Sequence, residues 1–189
     1  MESLTDEAVV HKVQEGDSEA FGVLVERYEQ KMLRYARKFL FGREDAEDVV
    51  QEVFLKAYAN IKGFQASRRF SPWLYRIAHN EFLNTIHKRA RLPVPFFDPD
   101  TLFPHPLSNE SADRAVNENE LRAALEHSLD KLDAKYREPL VLYFFEDLSY
   151  QEIAEVMQIP VSTVGVRISR GKQQLINRSP ELRSAYGTP

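Results

Sequence analysis

Residues 148–175, LSYQEIAEVMQIPVSTVGVRISRGKQQL, contain two short helical patterns separated by a break at Gln158-Ile159-Pro160. Ser149 followed three residues later by Glu152 has the spacing of a capping box, which begins a helix. The second helix is expected to begin with Ser162 as its N-cap. Two helices across so short a turn indicate a helix-turn-helix, although a helical hairpin with a solvated basic face would share this pattern.

The two helices divide their residues between an inner and an outer face. Apolar residues at helical spacing are expected to face the partner helix: Ile153, Ala154, Met157, Val161, Val164, Ile168 and Leu175. The outer face of the second helix then carries Thr163, Val166, Arg167, Arg170 and Gln174. A cationic outer face suits the major groove of DNA, where arginine pairs with guanine edges or with phosphates.

Composition excludes several classes of protein. The 189 residues are 43% hydrophobic, which is enough to build one or two domains with real cores. No apolar run approaches the roughly 18 residues of a membrane span, and the start MESLTDEAVVHK lacks a signal-peptide pattern, so we expect a cytoplasmic protein without membrane insertion. Cysteine is absent, and His79 and His87 are expected on a polar face. We therefore expect no metal, no cofactor and no catalytic residues.

Charge is unevenly distributed along the chain. The net charge of −4 argues against a protein that grips DNA unaided, because non-specific affinity depends on neutralised phosphates. Residues 68–91 nevertheless carry six bases and one acid, whereas residues 98–120 carry six acids and one base. A second basic segment follows in the helix-turn-helix. The chain therefore alternates basic, acidic and basic segments.

Helical periodicity predicts an all-α fold of two small domains. Helices are expected over residues 5–14, from Asp17 to a stop at Gly42, over 44–60 and from Pro72, and again over 117–132 and from an N-cap at Asp133. Residues 92–116 contain five prolines and no helical period, which is typical of a linker. The predicted domains are residues 1–91 and 117–180, the second with the helix-turn-helix, followed by a tail over 181–189.

The helix over residues 44–60, EDAEDVVQEVFLKAYAN, has an acidic outer face. Its inward stripe is Ala46, Val49, Val50, Val53, Phe54 and Ala57. Acids in the first turn, including Asp45, are stabilised by the helix dipole. Asp48, Gln51 and Glu52 lie further along the helix, where this stabilisation has faded. An acidic face for a basic partner helix is one interpretation, and a solvated face is the alternative.

Residues 61–71, IKGFQASRRFS, form a loop before the next helix. Phe64 and Phe70 are either core residues or, with Arg68 and Arg69, a stacking platform for an unstacked base. The helix is expected to begin with Ser71 as N-cap and Pro72 at the first position. One side of it carries amides and bases, a pattern that suits a nucleic-acid strand: Arg76, Asn80, Asn84, His87 and Arg91.

Three stretches together resemble one family. DAEDVVQEVFLKAY (45–58), FSPWLYRIAHNEFLNTIHKR (70–89) and LSYQEIAEVMQIPVSTVGVRISRG (148–171) are similar to the two domains of bacterial extracytoplasmic-function sigma factors, which are RNA polymerase subunits. The resemblance covers about residues 5–91 and 117–176. Separate motif blocks in the right order are more specific than one helix-turn-helix.

The resemblance implies a role for each surface. Asp45, Asp48, Gln51 and Glu52 would bind core RNA polymerase at its β′ clamp helices. The −10 promoter element would be melted and its flipped base captured by the 61–70 loop and the following helix, through Phe64, Arg68, Arg69, Phe70, Arg76, Asn80, Asn84, His87 and Lys88. The −35 element would be recognised by Ser162, Thr163, Val166, Arg167, Arg170 and Gln174. The β flap and an anti-sigma factor are further expected partners, and the acidic linker would follow the RNA-exit path or simply be solvated.

Two features depart from the family pattern. Gln158 stands where members often have glycine, and Gly165-Val166 replaces a lysine-serine or similar polar pair, which removes an expected phosphate contact.

Two other classes of protein remain as alternatives. A dimeric regulator would sense a ligand with residues 1–91, although no dimer helix is evident. A helical adaptor would make no use of Arg167 and Arg170.

Overall fold

A computed structural model describes residues 4–39, 43–90 and 128–178, and every regular element within those ranges is helical. The expected all-α fold is thereby confirmed. The chain divides into two compact units, one formed by Met1–Val94 with Gln151–Ile159 and the other by Pro95–Tyr150 with Pro160–Pro189. The predicted linker and tail lie outside the described residues, so their boundaries stay predictions.

Seven α-helices have described bounds. They are α1 (Asp6–Gln14), α2 (Phe21–Arg37), α3 (Arg43–Asn60), α4 (Phe70–Ala90), α5 (Ala134–Phe144), α6 (Tyr150–Met157) and α7 (Val161–Arg178). Two short 3-10 helices, Ser18–Ala20 and Ile61–Gly63, precede α2 and follow α3. The predicted stop of the second helix at Gly42 lies outside the described residues.

The core of the first unit forms where α2 packs on α3 and α3 packs on α4. The inward stripe predicted for α3 is buried at every position: Ala46, Val49, Val50, Val53, Phe54 and Ala57. Tyr35 of α2 lies at the centre, with ring centroids 5.3 Å from Tyr75 and 5.0 Å from Phe82 of α4. The buried stripe of α3 and the aromatic contacts of α4 fix which side of each helix faces the core. They therefore also fix which side faces outward.

Three predicted helix starts differ from the structure. Asp17 caps the 3-10 helix, accepting the Ala20 amide at 3.2 Å, and α2 follows directly. Helix α4 begins at Phe70, so Ser71 is not its N-cap. Helix α7 begins at Val161, because the Pro160 carbonyl already accepts the amides of Thr163 and Val164. Ser162 therefore lies in the first turn of α7, and the predicted inward Val161 is exposed.

In the second unit, α5 packs against α7. Asp133 stands at the predicted N-cap of α5, where its backbone carbonyl accepts the amides of Tyr136 and Arg137. Gly171 of α7 faces α5 at a close approach: a Cβ added there would lie 2.7 Å from Leu140 Cδ1. The two helices can approach so closely only because α7 has no side chain at this position.

The turn between α6 and α7 contains a left-handed residue. Gln158 has φ of 55°, and the Ile159 amide donates to the Ala154 carbonyl at 3.2 Å, which closes the C-terminus of α6. Left-handed backbone places Cβ near the next carbonyl and costs a non-glycine residue about 1–2 kcal/mol. Glutamine at this position, where family members often have glycine, therefore has a strained backbone.

Replacing Gln158 with glycine should raise the free energy of unfolding by about 1 kcal/mol, because glycine adopts left-handed backbone without the Cβ clash. Thermal unfolding followed by circular dichroism would show a higher midpoint. The matched control is Gln173→Gly at an exposed position inside α7, where the same substitution should lower stability by about 1 kcal/mol. Equal effects at both positions would contradict this account of the turn.

Candidate polymerase and nucleic-acid interfaces

The acidic face of α3 consists of Asp45, Asp48, Gln51 and Glu52. Three of these side chains are exposed and Asp45 is half-buried. The face stands opposite the buried stripe, so its orientation is set by the core. The structure therefore brings together all four residues that were predicted for polymerase binding on one solvent-facing surface.

Two exposed apolar residues adjoin this acidic face. Leu55 is 57% exposed, and Tyr58, one turn further along α3, is 43% exposed. Because Leu55 follows Asp48 by seven residues and Gln51 by four, it lies on the same side of the helix as both. Neither residue was predicted from the sequence, although an apolar residue outside the inward stripe of a helix indicates an exposed apolar contact. An apolar centre beside acids is typical of a protein-docking surface.

The aromatic residues of the 61–70 loop are buried. Phe70 has no exposed surface and Phe64 has 6%. Their rings pack together with a centroid distance of 5.9 Å, and each lies within 5.6 Å of the Trp73 ring. A ring enclosed in this way has no free face for a base, so the burial favours the core alternative for both. Between them, residues 65–69 are exposed.

Arg68 and Arg69 are the basic residues of the exposed loop segment. Arg68 pairs with Glu155 at 2.5 Å and Arg69 with Glu152 at 2.7 Å, both from the Gln151–Ile159 segment of the first unit. Both arginine side chains remain more than half exposed. The Arg68–Glu155 pair, in which both side chains are well exposed, contributes about 0–1 kcal/mol, so an anionic ligand could replace Glu155 at small cost, whereas the Glu152 side chain that pairs with Arg69 is only 18% exposed. An open cavity of about 430 Å³, also lined by Arg27 and Ser67, adjoins the two arginines.

The polar stripe of α4 runs along the helix away from the loop. Arg76, Asn84 and Lys88 are exposed, and Asn80 and His87 are half-buried. Asn84 donates to Glu81 at 3.3 Å, and Glu81 in turn pairs with Lys56 of α3 at 2.6 Å. These five side chains therefore share one accessible strip, and the predicted Arg91 lies outside the described residues. The expectation for His79 was wrong: it is only 7% exposed, because it lies on the inward side of α4.

The outer face of α7 presents the residues predicted for duplex recognition. Ser162, Val166 and Arg170 are exposed, whereas Thr163, Arg167 and Gln174 are half-buried. On the opposite side Val164, Ile168 and Leu175 are buried, as predicted. The face combines two guanidinium groups with hydroxyl and amide groups, which are donors suited to base edges and phosphates. At the C-terminal end, Lys172 lies 4.8 Å from the exposed Phe144 ring.

Metal-binding clusters and membrane-spanning helices are both absent from the described residues. Within that part of the chain, no three histidine, aspartate or glutamate side chains are grouped as a metal ion would need. None of the helices described there combines the length and apolar character needed to cross a membrane. The exposed polar faces of α3, α4 and α7 are the candidate functional surfaces in the part of the chain that the structure describes.

Comparison with known families matches both halves of the chain. Residues 24–92 match sigma-70 region 2, which spans α2 to α4. Residues 122–175 match sigma-70 region 4, which includes α5, α6 and most of α7. The acidic face and the α4 stripe thus lie in region 2, and the α7 outer face lies in region 4.

Relatives align along nearly the whole chain. The RNA polymerase sigma-H factor of Pseudomonas aeruginosa is 38% identical over 95% of this chain and 97% of its own length. The ECF sigma factor SigW of Bacillus subtilis is 36% identical over 92% and 96%. The ECF sigma-E factor of Escherichia coli K12 is 35% identical over 96% and 97%.

A solved structure has the same fold. CnrH, determined in complex with the cytosolic domain of CnrY, superposes with a TM-score of 0.64 and 27% identity, covering 96% of this chain and 99% of CnrH. Sequence, fold and both regional matches agree. The chain belongs to the extracytoplasmic-function family of RNA polymerase sigma factors, which are non-enzymatic subunits that direct promoter-specific transcription initiation.

Proposed function

We propose that this sigma factor divides promoter recognition between its two regions. The acidic face of α3 binds core RNA polymerase, the 61–70 loop with the α4 stripe binds the −10 element as a melted strand, and the α7 outer face binds the −35 element as duplex. The observation that carries this proposal is that each face lies exposed on a helix whose opposite side is fixed in a core.

The α3 face suits the β′ clamp helices of the polymerase. Asp48 and Glu52 offer exposed carboxylates, and Leu55 offers an apolar contact on the same side of the helix. A buried apolar contact surrounded by complementary charges gives both affinity and orientation. Region 4 would contact the β flap, for which the exposed Phe144 beside Lys172 is a suitable surface.

The two DNA faces differ in the form of DNA that they suit. The α4 stripe alternates amides and bases along one helix side, and a single strand offers unstacked base edges and phosphates to such a surface. The α7 face lies on the second helix of a helix-turn-helix, which enters a duplex major groove. With a net charge of −4, each face is weak alone, and polymerase makes them effective by raising their local concentration at the promoter.

An anti-sigma factor is the further partner that we propose. The structure of the relative CnrH was solved in complex with the cytosolic domain of CnrY, and this chain shares the fold of CnrH over nearly the full length. A protein that covers the α3 face would prevent polymerase binding. We place the sigma factor in the cytoplasm, where core polymerase is found.

Replacing Asp48 with arginine should weaken holoenzyme formation about tenfold or more, because a charge reversal replaces attraction by repulsion at the centre of the acidic face. Affinity for core polymerase would be measured by fluorescence anisotropy, and promoter use by transcription in vitro on a promoter library. Transcription should fall in parallel with core binding.

The matched control for this charge reversal is Glu29→Arg, at an exposed position of α2 instead of α3. This variant should bind core polymerase as the wild type does. If Asp48→Arg retained wild-type affinity, the assignment of the α3 face would be wrong. Asn80→Ala tests the strand face separately, since it should reduce melted −10 binding without changing core affinity.

A further inference from the structure

The 61–70 loop provides few of its own supporting contacts. Its 3-10 helix is closed by the Phe64 amide, which donates to the Ile61 carbonyl at 3.1 Å, and the exposed segment has one turn, with Arg68 donating to Gln65 at 2.9 Å. An exposed segment of this length needs outside support to hold a single shape. The Arg68 and Arg69 ion pairs described above support its exposed part, and α1, near the start of the sequence, supports its two ends.

Gln14 of α1 holds the first end of the loop. Its side-chain amide donates to the Ile61 carbonyl at 2.7 Å and to the Phe64 carbonyl at 2.8 Å. Both hydrogens of one amide nitrogen are therefore used on two backbone acceptors that bracket the 3-10 helix. Gln14 is half-buried, so loss of these bonds would leave carbonyls with reduced access to water.

Glu7 of α1 holds the second end. Its carboxylate accepts the Phe70 amide at 2.9 Å, which is the first amide of α4. Unpaired amides at a helix N-terminus carry partial positive charge, and a carboxylate there is stabilising. A residue 63 positions away thus supplies the cap that Ser71 was expected to supply.

Helix α1 can act as a rigid spacer between these two contacts. Glu7 and Gln14 are two helical turns apart on one side of α1, which separates their backbones by about 10 Å. The helix is itself fixed, since Asp6 pairs with Arg27 at 2.7 Å and accepts the Tyr28 hydroxyl at 2.5 Å. Burial and the Asp6 carboxylate raise the pKa of Tyr28, which keeps its hydroxyl protonated as a donor.

We propose that Glu7 and Gln14 are positioning residues for promoter-strand recognition, because they fix both ends of the 61–70 loop through α1. Neither side chain needs to touch DNA. This inference rests on the proposed function of the loop, but the placement of the loop can be tested without DNA. Trp73 is the only tryptophan of the chain, and its ring packs on Phe64 and Phe70 at the two loop ends.

The first measurement follows Trp73 fluorescence in the free full-length chain. Glu7→Ala removes the acceptor, and Gln14→Met removes both donors at similar volume. Each should shift the emission of Trp73 to longer wavelength and increase its quenching by acrylamide about twofold, while the far-ultraviolet circular dichroism stays unchanged. Glu7→Gln keeps an acceptor oxygen and should restore most of the wild-type signal. Glu15→Ala is the matched control, since its exposed carboxylate pairs only with exposed His11 in the described contacts.

The second measurement uses holoenzyme assembled with core polymerase and a melted −10 oligonucleotide. Glu7→Ala and Gln14→Met should each weaken strand binding about tenfold, with core affinity unchanged and Glu7→Gln close to wild type. Wild-type strand affinity in both variants, with Asn80→Ala impaired, would overturn the positioning role and leave the proposed function intact. If Asn80→Ala also left strand affinity unchanged, the proposed strand-binding function would be wrong. A Trp73 shift in the α1 variants would then show that the α1 contacts only stabilise the fold, and the positioning role would be overturned as well.

Discussion

Replacing Phe70 with alanine should lower the free energy of unfolding of the first unit by about 3–5 kcal/mol, the range found when a buried phenylalanine is truncated. Phe70 has no exposed surface, and its ring packs edge-on against Tyr28 at 5.6 Å and against Phe64 at 5.9 Å. Truncation would leave a cavity between α1, α2 and the loop. Urea unfolding followed by Trp73 fluorescence measures this unit directly.

The same variant separates two interpretations of the loop aromatics. A residue that only stacks on a base would lose strand affinity when truncated but keep the unfolding midpoint. A core residue would lose stability first, and its effect on DNA binding would follow from unfolding. The control is Leu55→Ala, an exposed apolar position of α3, where the change should stay within about 0.5 kcal/mol. An unchanged midpoint for Phe70→Ala would restore the stacking interpretation.

Replacing Gly171 with valine should destabilise the second unit by about 3 kcal/mol, at the upper end of overpacking costs. The new Cβ would meet Leu140 Cδ1 at 2.7 Å and Tyr136 Cβ at 3.3 Å. Leu140 is 1% exposed and has no space to move into, and the Tyr136 atom lies next to the backbone. Because α5 and α7 would have to separate, −35-dependent transcription should fall as temperature rises.

Gly165 is the matched control, since it lies in the same helix and was the departure that we expected to affect −35 recognition. A Cβ there would lie 3.6 Å from the Tyr150 ring, an ordinary contact. Gly165→Ala should therefore stabilise the protein by about 1 kcal/mol through helix propensity alone. If both glycine substitutions destabilised equally, close α5–α7 packing would not explain the effect at Gly171.

Helical periodicity predicted the features that depend on residue spacing within one helix. The inward stripe of α3 and the buried Val164, Ile168 and Leu175 of α7 could be predicted because apolar spacing records which side of a helix meets a core. The polar faces were predicted from the same spacing, because they occupy the side of each helix that the apolar residues leave. The acidic, α4 and α7 surfaces were therefore predictable as faces before any contact was known.

Contacts between residues distant in the sequence were not predictable. Ser71 has the right chemistry for an N-cap, but α4 begins at Phe70, two residues before the predicted first position at Pro72, and the Glu7 carboxylate accepts the Phe70 amide. No spacing rule connects residues 63 apart. The burial of the aromatic rings of the loop could not be predicted for a related reason. Burial depends on which residues pack over a ring, and the sequence near Phe64 does not show which residues these are.

The hydrogen bonds from α1 to the 61–70 loop join residues 47, 50 and 63 positions apart, whereas the bonds inside each helix join residues four apart. During folding, chain segments this distant must lose the entropy of closing a long loop before their contacts contribute stability. The helices of the first unit can therefore form early, and the loop acquires its final shape only when α1 docks. A nascent chain would then form helical turns before the 61–70 loop takes its final shape.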